Sequence, residues 1–312
     1  MPAPGVPRPL AAGDVAPVAA LISGAEAAAG RRLVDLDRFA AAVAGRPDVA
    51  GLVASDPGDG RVAAYCQVVR GPRRWDLELA HDPDPTRAAG ARVAAAAALA
   101  GALDVVAHGG GGEAYLWITA PTADDDRMVA GAGLTATRDL WQVRRPLPVA
   151  DEPWSLATRP FVVGRDEQPW LAVNNRAFAW HPEQGGWTVD DLRAREQEPW
   201  FDPAGFLVHE VDGEMAGFCW TKVHADLDPP LGEIYVIAVD PAHHQRGLGR
   251  ALVLAGLDHL ARAGLTVGML YVDADNTPAT RLYDRLGFRL HHVDRAYAAV
   301  VPAVDAPEGA SG

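Results

Sequence analysis

One succession of elements (strand, turn, strand, strand, helix, strand, helix, strand) is written twice along this 312-residue chain. Such a recurrence constrains the fold more than any single propensity does, because each copy must complete a sheet and bury its own helices. The length agrees, since a chain of this size exceeds one ordinary core and divides naturally into two of about 150 residues. In the second copy, 206–211 and 215–223 flank the turn Asp212-Gly213 as a hairpin, with β-branched and aromatic residues on both sides. Residues 232–239 follow as a strand, 248–263 as an amphipathic helix capped by Gly264, and 267–273 as a buried strand. Pro278 opens a short helix that Gly287 stops, and 288–300 returns as an antiparallel strand.

The first copy keeps this order with weaker signals. Residues 52–54 and 62–69 flank the turn Asp56-Pro57-Gly58-Asp59-Gly60, 75–80 is the next strand, 86–103 an alanine-rich helix and 114–119 a further strand. Gly133-Leu134 mirrors Gly287-Phe288, and Pro83 lies 50 residues before Gly133 where Pro241 lies 46 before Gly287. An ancient duplication accounts for this register. The expected fold class is α/β (α+β): two tandem domains, each a mixed, mostly antiparallel sheet flanked by helices. They are expected at 1–145 and 155–305, joined by a proline-bearing linker at 146–154 and followed by a disordered tail at 306–312. Prolines and glycines, 25 and 32 of them, form no tract, so disorder is expected only at that tail and in the proline-rich start 1–9.

Charge and cysteine usage narrow the function. A net charge of −13 argues against nucleic acid and anionic membranes as partners and is compatible with a cationic small molecule such as an amine. Cys66 and Cys219 lie in apolar runs of different halves, with no second cysteine or ligand-spaced histidine nearby, so buried free thiols and no metal are expected. Asp14 interrupts the apolar N-terminal stretch, against a signal peptide, and no segment is read as approaching the roughly 20 apolar residues that span a bilayer. A cytoplasmic, monomeric protein is the expectation. Among 28 basic residues Lys222 is the only lysine, which suggests a position where a flexible ammonium is needed.

The most specific stretch runs Val236-Ile237-Ala238-Val239-Asp240-Pro241-Ala242-His243-His244-Gln245-Arg246-Gly247-Leu248-Gly249-Arg250-Ala251-Leu252. A strand passes into a glycine-bearing loop that opens a helix, so backbone N–H groups converge at a helix N-terminus with the dipole behind them. That is an anion site suited to a pyrophosphate. Gly247 and Gly249 allow close approach, and Gln245, Arg246 and Arg250 add donors. The Rossmann fingerprint needs G-x-G-x-x-G and a P-loop needs Gly-Lys-Ser/Thr; neither is present. Gly-x-Gly alone would mark only a strand-to-helix turn. Here Asn276, Tyr283 and Leu286-Gly287-Phe288 follow, and the whole resembles the GNAT superfamily of acyl-CoA acyltransferases. One departure is that His244 stands where the superfamily signature has Gln or Arg, with Gln245 one place later.

The resemblance implies two tandem GNAT-like domains, acetyl-CoA as cosubstrate, and a strand that splays from its neighbour so that the backbone of Ile237, Ala238 and Val239 holds the thioester oxygen. It also implies cofactor contacts from His244, Gln245, Arg246, Gly247, Leu248, Gly249 and Arg250, and from Asn276, Thr277, Pro278, Ala279, Thr280 and Arg281. Amine acetylation needs an uncharged amine and a proton for the departing thiolate. Glu233 is read as the base, acting through water, and Tyr283 as the acid; the bland readings are an exposed strand residue and a packed helix aromatic. This arrangement expects both groups on one side of the sheet, around the acyl carbon. In the register of the two copies Glu233 falls on Trp75, Tyr283 on Val129, and Gly247 and Gly249 on Ala89 and Ala91. The first domain therefore reads as a non-catalytic copy, which either holds CoA around Leu79, Ala80 and His81 or only completes the substrate cleft.

Polar and aromatic residues at 174–178, 181–188, 200–203 and 220–224 are of the kind that line sugar sites, or else serve as turns and caps. With the tandem layout they resemble the mycothiol synthase family, closely over about 155–300 and weakly but colinearly before. That resemblance implies acetylation of the cysteinyl amine of desacetylmycothiol, a cysteinyl-glucosaminyl-inositol pseudodisaccharide. It implies substrate contacts from Glu183, Lys222, Glu233 and Tyr271, with an acidic contact near Asp37. The alternatives are another GNAT enzyme acting on an aminoglycoside or peptide amine, and an acetyl-CoA-binding regulator without turnover.

Overall fold

The computed structural model describes residues 6–149, 155–180, 184–243 and 247–304. In chain order the elements are β1 (Arg8–Pro9), α1 (Val15–Ala29), α2 (Leu36–Val43), β2 (Val49–Ser55), β3 (Val62–Arg70), β4 (Trp75–His81), α3 (Ala88–His108), β5 (Gly112–Thr119), α4 (Ala123–Gly131) and β6 (Thr135–Pro146). There follow β7 (Arg159–Pro160), α5 (Glu167–Ala177), α6 (Val189–Glu196), β8 (Phe206–Val211), β9 (Glu214–His224), β10 (Leu231–Val239), α7 (Leu248–Arg262), β11 (Val267–Asp273), α8 (Thr277–Arg285) and β12 (Arg289–Val301).

Local chemistry sets these boundaries. Asp212 and Gly213 both have positive φ, 53° and 82°, and join β8 to β9 through a two-residue loop with Val211 opposite Glu214. That is the backbone a tight hairpin demands. Thr122 with Asp125, and Thr188 with Asp191, form reciprocal caps that start α4 and α6. Asn276 accepts from the N–H of Ala279 at the start of α8.

Two compact units result, Met1–Asp139 with Val293–Gly312, and Leu140–His292. The boundary expected at 145 lies inside a strand, because β6 begins in one unit and ends in the other. Its second part, Leu140 to Pro146, pairs antiparallel with β11, from Leu140 opposite Asp273 to Pro146 opposite Val267. The strand expected to close the second copy instead pairs with the first: β12 runs antiparallel to β5, Asp294 opposite Thr119 through Val301 opposite Gly112. Each copy thus gives its last strand to the other unit's sheet. Arg145 and Pro146 are strand residues rather than linker, and 150–154 lie outside the described residues. Arg8 and Pro9, expected to be disordered, pair with Val53 and Leu52.

In the first unit the sheet has β3 between β2 and β4, with β4 parallel to β5. One face packs against α3 and α4, the other against α1 and α2. By length and composition the 24-residue stretch Pro85–His108, which contains an 18-residue window of mean hydropathy 1.5, passes for a membrane span, which corrects the reading that no segment comes close. Its Ala94, Ala95, Ala98, Leu99, Ala102 and Val106 are fully buried against the sheet, as in a core helix of a folded domain.

In the second unit the strand order is β6, β11, β10, β9, β8, β7. Leu252, Val253 and Leu257 of α7 pack on one face with Ile234, Leu270, Tyr283 and Phe288, together with Val143 of β6. The opposite face carries an aromatic core in which Trp170 of α5 meets Trp187, Phe206, Phe218 and Trp220 with ring centroids 5.3 to 5.9 Å apart. Replacing Trp170, which is completely buried, by alanine should cost about 3–5 kcal/mol. Urea denaturation would measure it, and a loss below about 1 kcal/mol would contradict this account of the core.

Candidate active site

The site begins where a sheet stops being continuous. β10 runs parallel to β11 and pairs with it only through Gly232 opposite Gly268 and Glu233 opposite Met269. On its other edge β10 stays paired with β9 as far as Val239 opposite Gly217, with a bulge between Ile234 and Val236. A bulge adds a residue to one strand, bends it and increases its twist. Beyond Glu233 the edge of β10 that faces β11 therefore has no ladder partner, and Ile237, Ala238 and Val239 line that opening.

Glu233 marks its mouth. It is opposite Lys222 in the β9 ladder, and cross-strand partners project from the same face. Lys222 Nζ lies 4.5 Å from the centroid of the Trp200 ring and 5.6 Å from that of Tyr235. Both rings pack against the aromatic core, so Glu233 and Lys222 are on that face. The Glu233 carboxylate is buried, and its Oε2 lies 2.7 Å from Nε2 of His224. On β11 the same face carries Met269 and, two residues on, Tyr271, whose phenolic oxygen accepts from Gln142 Nε2 at 2.7 Å. Gln142 Oε1 in turn accepts from Arg144 Nε at 2.7 Å.

Tyr283 does not share this face. It packs among the α7-side residues, 5.7 Å from the Phe288 ring and buried, which corrects the expectation of one side for both groups. β10 and β11 part beyond Glu233, so a ligand lying between them would have the carboxylate on one side and the phenol on the other. Burial pushes the Tyr283 phenol up from its ordinary value, which keeps it protonated at neutral pH. With Trp141, Val272, Thr280 and Arg281 it lines a cavity of 330 Å³. Asn276 serves as a helix cap, Thr277, Pro278 and Arg281 are exposed, and Ala279 is half-buried.

The anion loop is anchored at its start. Asp240 accepts from the N–H of Ala242 at 2.9 Å and from Arg176 of α5, while its own N–H donates to the carbonyl of Ala216. Burial alone would push its carboxyl up; the bonds from Arg176 and Ala242 more than offset this and hold it below the usual aspartate value. Gly247 sits at φ +93°, and a Cβ there would meet nothing within 4 Å; Gly249 has only Val239 at that distance. Among the described residues nothing crowds the start of the 15-residue α7, and its cap has a backbone that favours glycine. Leu248 is buried and Arg250 half-buried; His244, Gln245, Arg246 and Glu183 lie outside the described residues.

The bulge also revises the comparison of the two copies. The N–H of Asp82 donates to Ala63 and that of Asp240 to Ala216, so β3 and β9 align, and Val69 matches Lys222. Val69 is opposite Asp76, and Lys222 is opposite Glu233. Glu233 therefore corresponds to Asp76, not Trp75; the unbulged β4 hid the shift. Asp76 accepts from Arg74 Nε at 2.9 Å and lines a 580 Å³ cavity with Leu79 and His81, while Ala80 is buried in the α1 core. Val129 remains the counterpart of Tyr283 and is fully buried. Asp37, in the first turn of α2, is exposed. Sequence reasoning missed His224 as a partner of Glu233, although the Lys-Val-His alternation puts Lys222 and His224 on one face. It also missed Gln142, which the exchanged strand brings from the first half of the sequence.

A half-open parallel pair beside a glycine-capped helix is the arrangement expected of an acetyltransferase of the GNAT class, to which sequence comparison assigns the chain. The profile of the acetyltransferase (GNAT) family matches residues 173–288. The chain belongs to the mycothiol acetyltransferase family and is an N-acetyltransferase: it is 42% identical to the mycothiol acetyltransferase of Acidimicrobium ferrooxidans over 294 residues, 92% of this chain and 94% of that one. It is 52% identical to that of Thermobispora bispora over 202 residues, 62% of this chain and 68% of that one. A tandem GNAT protein from the clavulanic acid biosynthesis pathway shares the fold, with a TM-score of 0.62 at 18% identity over 96% of this chain and 99% of that one.

Because Asp240 has a depressed pKa, its contribution to stability is present above the ordinary aspartate value of 3.8 and fades as pH falls through the lower folded value. Asp240→Asn should therefore melt below the wild type at pH 7, by an amount that shrinks in acid below about pH 4. Melting curves at both pH values check this, and a difference that grew on acidification would contradict it.

Proposed function

We propose that the second unit transfers acetyl from acetyl-CoA to the cysteinyl amine of desacetylmycothiol. One observation carries the reading: the sheet opens immediately beyond a buried glutamate, at the foot of a strand that leads to a glycine-capped helix. The residues fit the cosubstrate. Among the described residues nothing crowds the helix start, which suits a pyrophosphate, and Ile237, Ala238 and Val239 beside the gap are apolar, which suits a pantetheine arm. Acetyl-CoA supplies an acyl group activated as a thioester.

The chain supplies the rest. Glu233 accepts the ammonium proton through a water molecule and frees the amine lone pair, which attacks the thioester carbon. Free N–H groups along 237–239 stabilise the oxygen that becomes negative. As the carbon–sulfur bond breaks, Tyr283 gives its proton to the sulfur from the far side of the gap; the second proton that the nitrogen sheds on becoming an amide leaves through water to solvent, from which the phenolate is reprotonated. Lys222, held over Trp200, and Tyr271, held by Gln142, flank Glu233 and suit the hydroxyl groups of a pseudodisaccharide. Glu183 and Asp37 remain proposed substrate contacts. Leu79 and His81 at the cavity of the first unit are proposed to hold a second CoA.

Purified protein given acetyl-CoA and a panel of amines should acetylate cysteinyl-glucosaminyl-inositol in preference to aminoglycosides and peptide N-termini, with products followed by mass spectrometry. Equal rates on all three would refute the acceptor. Glu233→Gln should lower kcat by about 10²- to 10⁴-fold with acetyl-CoA affinity near normal. Lys222→Ala should raise the acceptor KM by about tenfold to a hundredfold, the worth of one hydrogen bond to a charged group, and an unchanged KM would remove Lys222 from the site.

A further inference from the structure

We propose that His224 is a positioning residue for acetyl transfer, fixing the Glu233 carboxylate so that its second oxygen faces the reacting amine. The inference rests on Glu233 being the base. It starts from which partners Glu233 has. Its ladder neighbour Lys222 directs its ammonium at the faces of Trp200 and Tyr235. Among the described residues the one side-chain hydrogen bond to the carboxylate comes from His224, at 2.7 Å to Oε2.

The pairing of the strands explains why. His224 is opposite Leu231, two residues before Glu233, so imidazole and carboxylate stand on one face as diagonal neighbours. An ionised carboxylate only accepts, so Nε2 of His224 carries the hydrogen in this bond. Glu233 has a three-carbon reach with several rotamers, and a carboxylate free to rotate would spend most of its time with neither oxygen aimed at the gap. Anchoring Oε2 leaves Oε1 as the acceptor for the water or ammonium. His224 touches neither substrate nor cosubstrate in this account; it acts through Glu233 alone.

The test is a double-mutant cycle in the full-length protein. His224→Phe keeps ring bulk and loses the donor; His224→Gln keeps a donor. With acetyl-CoA and cysteinyl-glucosaminyl-inositol, His224→Phe should lose about tenfold to a hundredfold in kcat with both KM values within about threefold, and His224→Gln should recover most of that loss. Combined with Glu233→Gln, His224→Phe should cost nothing further, because the group it orients is already gone. Wild-type kcat in His224→Phe, equal losses in the Phe and Gln variants, a purely KM effect, or full additivity with Glu233→Gln would each overturn the proposal. An active Glu233→Gln enzyme would overturn the assignment of the base and this role with it. A crippled Glu233→Gln beside a fully active His224→Phe would remove only the role of His224. Should His224→Phe fail to fold by near-UV circular dichroism, His224→Asn, which is smaller and shifts the donor, replaces it with the same expected losses.

Discussion

The structure depends on a ladder that is left unfinished. Sheets are held by backbone pairing, and an unpaired strand edge inside a fold is costly unless something else meets it. In the second unit β10 stays paired with β9 as far as Val239, interrupted only by the bulge at Tyr235, and gives up β11 after two pairs. The N–H and C=O groups so released are available to a ligand, as the proposed function requires, and are held in place because the other edge of the same strand remains paired. Nearly everything that identifies the site is placed by this one irregularity, including the glutamate at the last paired position and the helix that receives the strand's end.

Charge around the opening is arranged to suit a reaction that begins with a cation and ends with a neutral amide. The lone lysine is drawn toward ring faces, a setting that holds an ammonium by the quadrupole and spares the carboxylate from a permanent ion pair. Across the sheet the buried phenol of Tyr283 remains protonated, so the carboxylate and the phenol are kept in separate environments by the sheet itself, as the proposed base and acid require. Asp240 and Arg176 form a further pair at the strand's end, where they hold the corner before the anion loop.

Much of the site was legible in the sequence, because glycine positions, helix caps and the β-branched runs of 231–239 and 267–273 report local backbone. The hairpin at Asp212-Gly213 and the helix opened by Asn276 and Pro278 lie where their residues indicate. What escaped was non-local. A bulge adds no distinctive residue type, so Glu233 aligned with Trp75 when its counterpart is Asp76. Faces were misassigned for Tyr283 because which side a crossover helix covers depends on the sheet, not on the helix. The destination of β12 could not be read at all: Ala296 and Tyr297 are as suited to one sheet as to the other, and only the assembled ladder chooses.

The exchanged strands carry a consequence for how such a chain evolves. A gene cut at the repeat boundary would encode two polypeptides, each missing the strand that finishes its sheet and carrying one that belongs elsewhere. The copy without a phenol at Val129 is thus retained for architecture as much as for any ligand. Deletion of either copy would leave the other's sheet without its closing strand.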